Sequence, residues 1–138
     1  MTPRADPTAP KTLAVPVVCA IIKKGNKVLA CRRSGNQTNA YLWEFPGGKI
    51  RKGESPRSAL IREIREELDV DVIPHAQLSS VKHTYPWTTI ELFPFVCTLA
   101  KGKPHPLEHT EIRWADRNEV VDLDWTPADS VVIRHYLA

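Results

Sequence analysis

Residues 48–70 read GKIRKGESPRSALIREIREELDV, and this run limits the fold more than any other part of the chain. Ser55 is a good N-cap and Pro56 suits the first helical position, so the signals predict a helix from about 56 to 68. Leu60, Ile61, Ile64 and Leu68 form its core stripe, spanning roughly 100° of the helical wheel. Glu63, Glu66 and Glu67 fall at i, i+3, i+4 immediately beside that stripe. Like charges so placed repel, and a helix shaped by stability alone would pair each with Lys or Arg. The pattern points to a cation at the lip of the core. It would face Pro46-Gly47-Gly48, where adjacent glycines permit backbone shapes that bring carbonyls and amides close to a ligand.

Around this helix the remaining signals are mostly those of strands. The β-rich runs 13–22 and 27–33 flank Lys23-Lys24-Gly25-Asn26, which reads as an antiparallel hairpin. A polar loop leads to the short apolar-aromatic piece Leu42-Trp43-Glu44-Phe45. Residues 77–84 and 88–99 read as strands joined by Tyr85-Pro86-Trp87, and 111–115 as another, with a long polar loop, KGKPHPLEHT, before it. Thr126-Pro127-Ala128-Asp129 opens a terminal helix with Val131, Val132, Ile133 and Tyr136 as apolar contacts. Mixed strands and helices place the chain in the α/β class.

At 42% hydrophobic and 25% charged, the chain has the composition of one globular domain. Residues 13–138 are read as that domain and the Pro-rich residues 1–12 as a flexible tail. The formal charge of +3 is mild and the basic residues are scattered, so no nucleic-acid footprint is expected. Cys19, Cys31 and Cys97 are odd in number and widely spaced, which fits reduced thiols in a cytoplasmic protein. No apolar stretch approaches the ~18 residues of a membrane span, and no secretory h-region precedes the domain.

Three carboxylates converging with loop carbonyls make an all-oxygen site that suits Mg²⁺ or Mn²⁺, whereas zinc would want His or Cys. Magnesium held by few protein ligands bridges to phosphate oxygens, so the expected substrate is a di- or triphosphate and the expected attack is by a metal-activated water on phosphorus.

Gly48, five residues, Glu54, seven residues, then Arg62-Glu63-Ile64-Arg65-Glu66-Glu67-Leu68-Asp69-Val70 resembles the Nudix box. Only the box's last glycine departs, being Asp69 here. Asp tolerates the left-handed turn that ends the helix less well than Gly, which predicts a small stability cost and no loss of chemistry. With LWEFPGGKI ahead of the box, the likeness extends over most of 13–138 to MutT-like members, which hydrolyse nucleoside triphosphates to a monophosphate and pyrophosphate. The resemblance implies an α/β/α sandwich with a mixed sheet. It implies that the Gly47 carbonyl, Glu63, Glu66 and Glu67 hold Mg²⁺, with Mn²⁺ a substitute. Glu108 would add a carboxylate or general base, and Glu54 and Arg62 would orient the metal-binding glutamates. Arg33, Lys49 and Gly48 fall to the phosphates.

By the same resemblance Phe45, Tyr85, Leu92 and Asp129 surround the base. Ionised Asp offers acceptors only, so Asp129 suits an exocyclic amine or the N7 hydrogen of an oxidised guanine, and a protonated Asp could donate. Both 8-oxo-dGTP and (d)CTP stay open as substrates. Asp129 also stands three residues after Thr126, where it could simply close a capping box. The five histidines show no ligand spacing and are expected to be non-catalytic. The competing readings are hydrolysis of another nucleoside diphosphate-linked substrate, and a MutT-like module that reads a base without chemistry. A monomer or homodimer with a small-molecule nucleotide partner is expected.

Overall fold

In the computed structural model, which describes residues 13–137, the first apolar run forms β1 (Val15–Lys24) and turns at Gly25-Asn26 into β2 (Lys27–Arg32). The tail expected over 1–12 lies outside the described residues. Gly25 takes φ +61° in that turn, and Lys23 pairs with Val28 in the expected antiparallel hairpin. There follow β3 (Trp43–Glu44), β4 (Gly47–Lys49), α1 (Pro56–Leu68), β5 (Asp71–Gln77), β6 (Val81–Tyr85), β7 (Thr88–Lys101), β8 (Glu111–Ala115), α2 (Arg117–Asp122) and α3 (Pro127–Tyr136). β1 and β7 run parallel, with Val15 opposite Ile90 and Ile22 opposite Cys97, while the other strand ladders are antiparallel. The sheet is mixed, as expected.

Alternation along β1 accounts for the layers. Val18, Ala20 and Ile22 join a core with Leu60, Ile64 and Leu68 of α1, whereas Cys19 and Ile21 join a second core with Val120 of α2 and Ala128, Val132 and Ile133 of α3. A strand buried on both faces must be apolar at every position, which is why 17–22 reads as an unbroken hydrophobic run. Each large aliphatic side chain so buried contributes roughly 1.5–3 kcal/mol. The three cysteines are buried free thiols, and burial pushes all three up from the ordinary thiol range.

α1 begins where its signals place it, with the Ser55 hydroxyl accepting the Ser58 amide hydrogen, and ends at Asp69 in the left-handed region with φ 57°. Replacing Asp69 with Gly removes the Cβ penalty at that angle. The expected result is a gain of about 0.5–1 kcal/mol in a denaturant titration, with kcat unchanged. Ala59 rather than Ile61 completes the buried stripe, and Ile61 is half-buried.

Three expectations need correction. The segment read as one strand over 77–84 is the end of β5 and most of β6, with a break between them, and both pair with β7. β5 was hidden by Pro74, which is tolerated because β5 pairs on one side only and shifts register between Pro74 and Ala76. α2 was not expected, although Asp116 and Glu119 close a full capping box around its first turn. In α3 the buried contacts include Ala128 alongside Val132 and Ile133, while Val131 is partly buried and Tyr136 is exposed.

The loop 102–110 is laced to the end of α1. The His105 and Leu107 amides donate to the Leu68 and Glu67 carbonyls at 2.9 and 3.1 Å, satisfying acceptors that a helix end leaves open. The Thr110 amide then donates to the Arg32 carbonyl at 3.0 Å. Glu108 and His109 lie between these anchors.

Candidate active site

α1, β3, β4, β6, β7, the start of α3 and the loop 102–110 together line a cavity of about 370 Å³. In its wall stands Glu67, only 7% exposed because it lies next to the core stripe. Its Oε1 accepts the Gly47 amide hydrogen at 2.8 Å. Burial first, then Glu44, push the Glu67 carboxyl up to about 9, against the Gly47 amide, with Glu63 and Glu108 adding to the rise. A divalent cation reverses that balance by stabilising the charged form.

Gly47 and Gly48 serve through smallness. Neither has positive φ; they are strand residues paired with Cys19 and Val18. A Cβ on Gly47 would lie 1.9 Å from the Val18 carbonyl oxygen, and one on Gly48 would lie 2.1 Å from the Glu63 carboxylate. The expected backbone freedom is therefore not what these glycines provide.

Arg62 organises the acidic face. It grips Glu54 through Nε and Nη2 at 2.6 and 2.8 Å, donates to Glu63 at 2.8 Å, and sends Nη2 to the Lys49 carbonyl at 3.1 Å. The hydrogen bonds from Arg62, with the Arg51 amide, hold the Glu54 carboxyl down at about 2. The i,i+4 contact from Arg62 to Glu66 is present at 3.3 Å. Glu66 is exposed, pairs also with Arg51 at 3.7 Å and does not line the cavity, so the three carboxylates do not meet at one point. Part of the counter-charge that the sequence pattern demands is thus Arg62 itself. Glu63, Glu67, Glu108, Gly47, Gly48 and Lys49 all line the cavity.

Phe45, Tyr85, Leu92 and Asp129 line the same cavity. The Tyr85 hydroxyl accepts the Ala128 amide hydrogen at 3.2 Å, and Trp87 stacks on the Tyr85 ring at 5.0 Å. Asp129 is 6% exposed; burial first, then Glu44, raise its carboxyl to about 7. The capping box that Thr126 and Asp129 might have closed is not formed: the Thr126 hydroxyl donates to Asp129 Oδ2, and Oδ1 has no partner among the described residues. That leaves a buried carboxyl at the cavity wall with one oxygen unpartnered among the described residues.

Two residues of the site were not anticipated. Glu44, from β3, and His109 line the cavity and, with Glu67, bring one ligand atom each within 4.8 Å of one another. His109 Nε2 lies 2.9 Å from Glu44 Oε2. The available signal was Glu44 itself, a carboxylate between Trp43 and Phe45 in an apolar strand, which burial obliges to find partners. Arg33, expected at the phosphates, lines the cavity with its nitrogens engaged: Nη1 on Glu44 at 2.8 Å, Nε and Nη2 on Thr38. The carboxylates of Glu63, Glu67 and Glu108 in the cavity wall are the donor type that fits a hard divalent cation.

The NUDIX domain profile matches residues 12–136. The chain is 32% identical over 124 residues to CTP pyrophosphohydrolase of Escherichia coli (strain K12), covering 90% of this chain and 92% of that one. It is 36% identical over 114 residues to putative 8-oxo-dGTP diphosphatase 2 of Mycobacterium tuberculosis (strain ATCC 25618 / H37Rv), covering 82% and 81%. The solution structure of DNA mismatch repair protein MutT from methicillin-resistant Staphylococcus aureus 252 superposes with a TM-score of 0.72 at 40% identity, over 88% of this chain and 94% of that one. Profile, relatives, sheet order and the Arg62-centred glutamate helix agree, and the chain belongs to the Nudix hydrolase family.

Proposed function

We propose that this hydrolase is a Mg²⁺-dependent, MutT-like nucleoside triphosphate pyrophosphohydrolase that converts an NTP or dNTP to its monophosphate and pyrophosphate. The carrying observation is that a single cavity is lined both by the carboxylates Glu63, Glu67 and Glu108 and by the aromatic rings of Phe45 and Tyr85. The names of the relatives, a CTP pyrophosphohydrolase and an 8-oxo-dGTP diphosphatase, support the same chemistry. Glu63, Glu67, the Gly47 carbonyl and Glu108 would hold the cation, with Glu66 at the outer margin. The bound cation would neutralise phosphate charge and lower the pKa of a water. Glu54 and Arg62 keep the glutamates aligned, Lys49 lies at the cavity wall for phosphate charge, and Phe45, Tyr85 and Leu92 exclude water around the base. On this reading residues 13–138 work as one cytoplasmic domain, monomer or homodimer, on a small-molecule nucleotide.

The test is product analysis with 8-oxo-dGTP, dGTP, dCTP, CTP and a 5-substituted dCTP in Mg²⁺. Pyrophosphate should appear and EDTA should stop it; inorganic phosphate as the first product, or no turnover of any triphosphate, would overturn the reading. Asp129 governs base choice in this scheme, because it lines the cavity and its Oδ1 is buried without a hydrogen-bond partner among the described residues. Asp129→Asn exchanges an acceptor for a donor and should reorder the panel by about tenfold or more in kcat/KM, one unpaired buried hydrogen bond being worth about 1–3 kcal/mol. An unchanged order removes Asp129 from recognition.

A further inference from the structure

His109 is a buried histidine in a polar loop, with its side chain 2% exposed. Glu44 can only accept, so His109 Nε2 carries the hydrogen of their 2.9 Å contact. The other oxygen of Glu44 accepts from Arg33 Nη1 at 2.8 Å, and Arg33 Nε donates to the Thr38 carbonyl at 2.7 Å. The segment that Arg33 grips is strained at Tyr41, whose φ of 62° lies in the left-handed region that a bulky side chain avoids, while Asn39 at φ 54° is a residue that adopts this region readily. Such a conformation persists only when surrounding contacts impose it. The Thr38 and Asn39 side of this segment and the Glu108-His109 side of the loop 102–110 both line the cavity. The chain His109–Glu44–Arg33–Thr38 therefore spans from one loop to the other along the cavity wall.

We propose that His109 is a positioning residue for nucleotide binding: through Glu44 and Arg33 it holds the strained 34–41 loop against the cavity. The inference rests on the triphosphate reading for its kinetic part only. His109 is not among the residues proposed to hold the cation, so its loss should weaken substrate capture far more than it slows chemistry.

Gln places an amide nitrogen where His109 Nε2 stands, Leu fills the space without a donor, and Asn is too short to reach Glu44. His109→Leu should raise KM for CTP with Mg²⁺ about tenfold while kcat stays within about threefold, and His109→Gln should restore most of the loss. Amide hydrogen exchange at Tyr41 and Leu42, whose bonds to Arg33 and Asn39 close the loop, should quicken in the Leu variant and not in the Gln variant. Should the Leu variant fail to fold, His109→Asn takes its place with the same expectations. Unchanged KM and exchange, equal damage from Gln and Leu, or a fall confined to kcat would each overturn the proposal. A wild type that consumes no triphosphate removes the triphosphate reading, while the exchange rates still judge the strut.

Discussion

Replacing Glu67 with Gln is expected to lower kcat by about three orders of magnitude, the several kcal/mol of charge stabilisation that a cation supplies at a phosphoryl centre. The fold should survive, since a Gln amide oxygen still accepts the Gly47 hydrogen that Glu67 Oε1 now takes at 2.8 Å. Stability as a function of pH separates this loss from a packing defect. Without metal, the Glu67 carboxyl is raised from 4.5 to about 9 by burial and by Glu44, so across that interval the folded state keeps a proton that the unfolded state has released. Stability from this group is full below about pH 4.5 and declines as pH rises towards 9. Asp129, raised from 3.8 to about 7, declines in the same direction over its own narrower interval. Glu67→Gln should flatten the upper part of that decline, visible as a variant more resistant to denaturant than wild type at pH 9. Added Mg²⁺ should stabilise the wild type by mass action and do little for the variant. Near-normal turnover, or a variant destabilised at every pH, would sink the assignment of Glu67 to the metal.

The helix that carries Glu67 was legible because its determinants are local: an N-cap, a proline at the first position, a four-residue apolar stripe and a residue able to close a left-handed turn. β1 was legible as well, since burial on two faces writes itself as an unbroken apolar run. What escaped depends on contacts distant in sequence. β5 hides behind Pro74, acceptable only at a sheet edge. Glu44 and His109 are 65 positions apart, and nothing near either one announces the other. Glu66 shows another limit: helical spacing put it beside Glu63 and Glu67, and Arg62 Nη1 does bridge it to Glu63, but it is exposed and also pairs with Arg51. The spacing of like charges showed that cations were needed without showing how many of them the chain itself supplies.

The two glycines of β4 offer the second large effect, because neighbouring substitutions of the same kind should fail in different ways. A methyl on Gly47 would stand 1.9 Å from a backbone oxygen of β1 and 2.8 Å from the Cys19 Cα, and β1 is fixed by its parallel ladder with β7 and by two cores. Nothing there can move cheaply, so the β1–β4 pairing must open. Gly47→Ala should cost about 3 kcal/mol or more, at the upper end of overpacking effects. The transition midpoint in a thermal melt would then fall by roughly 10 °C or more for a domain of this size. A methyl on Gly48 meets instead the end of the Glu63 side chain, which can swing away at the expense of its 2.8 Å bond to Arg62. Gly48→Ala should therefore melt within a few degrees of wild type and yet lose about 100-fold in kcat, the penalty for displacing a catalytic group by about 1 Å. If both variants were equally unstable, β4 would be a strand that merely prefers glycine. A stable, slow Gly48→Ala beside an unstable Gly47→Ala is the outcome expected of a strand whose first residue is packed against the sheet and whose second is packed against the Glu63 carboxylate proposed to hold the cation.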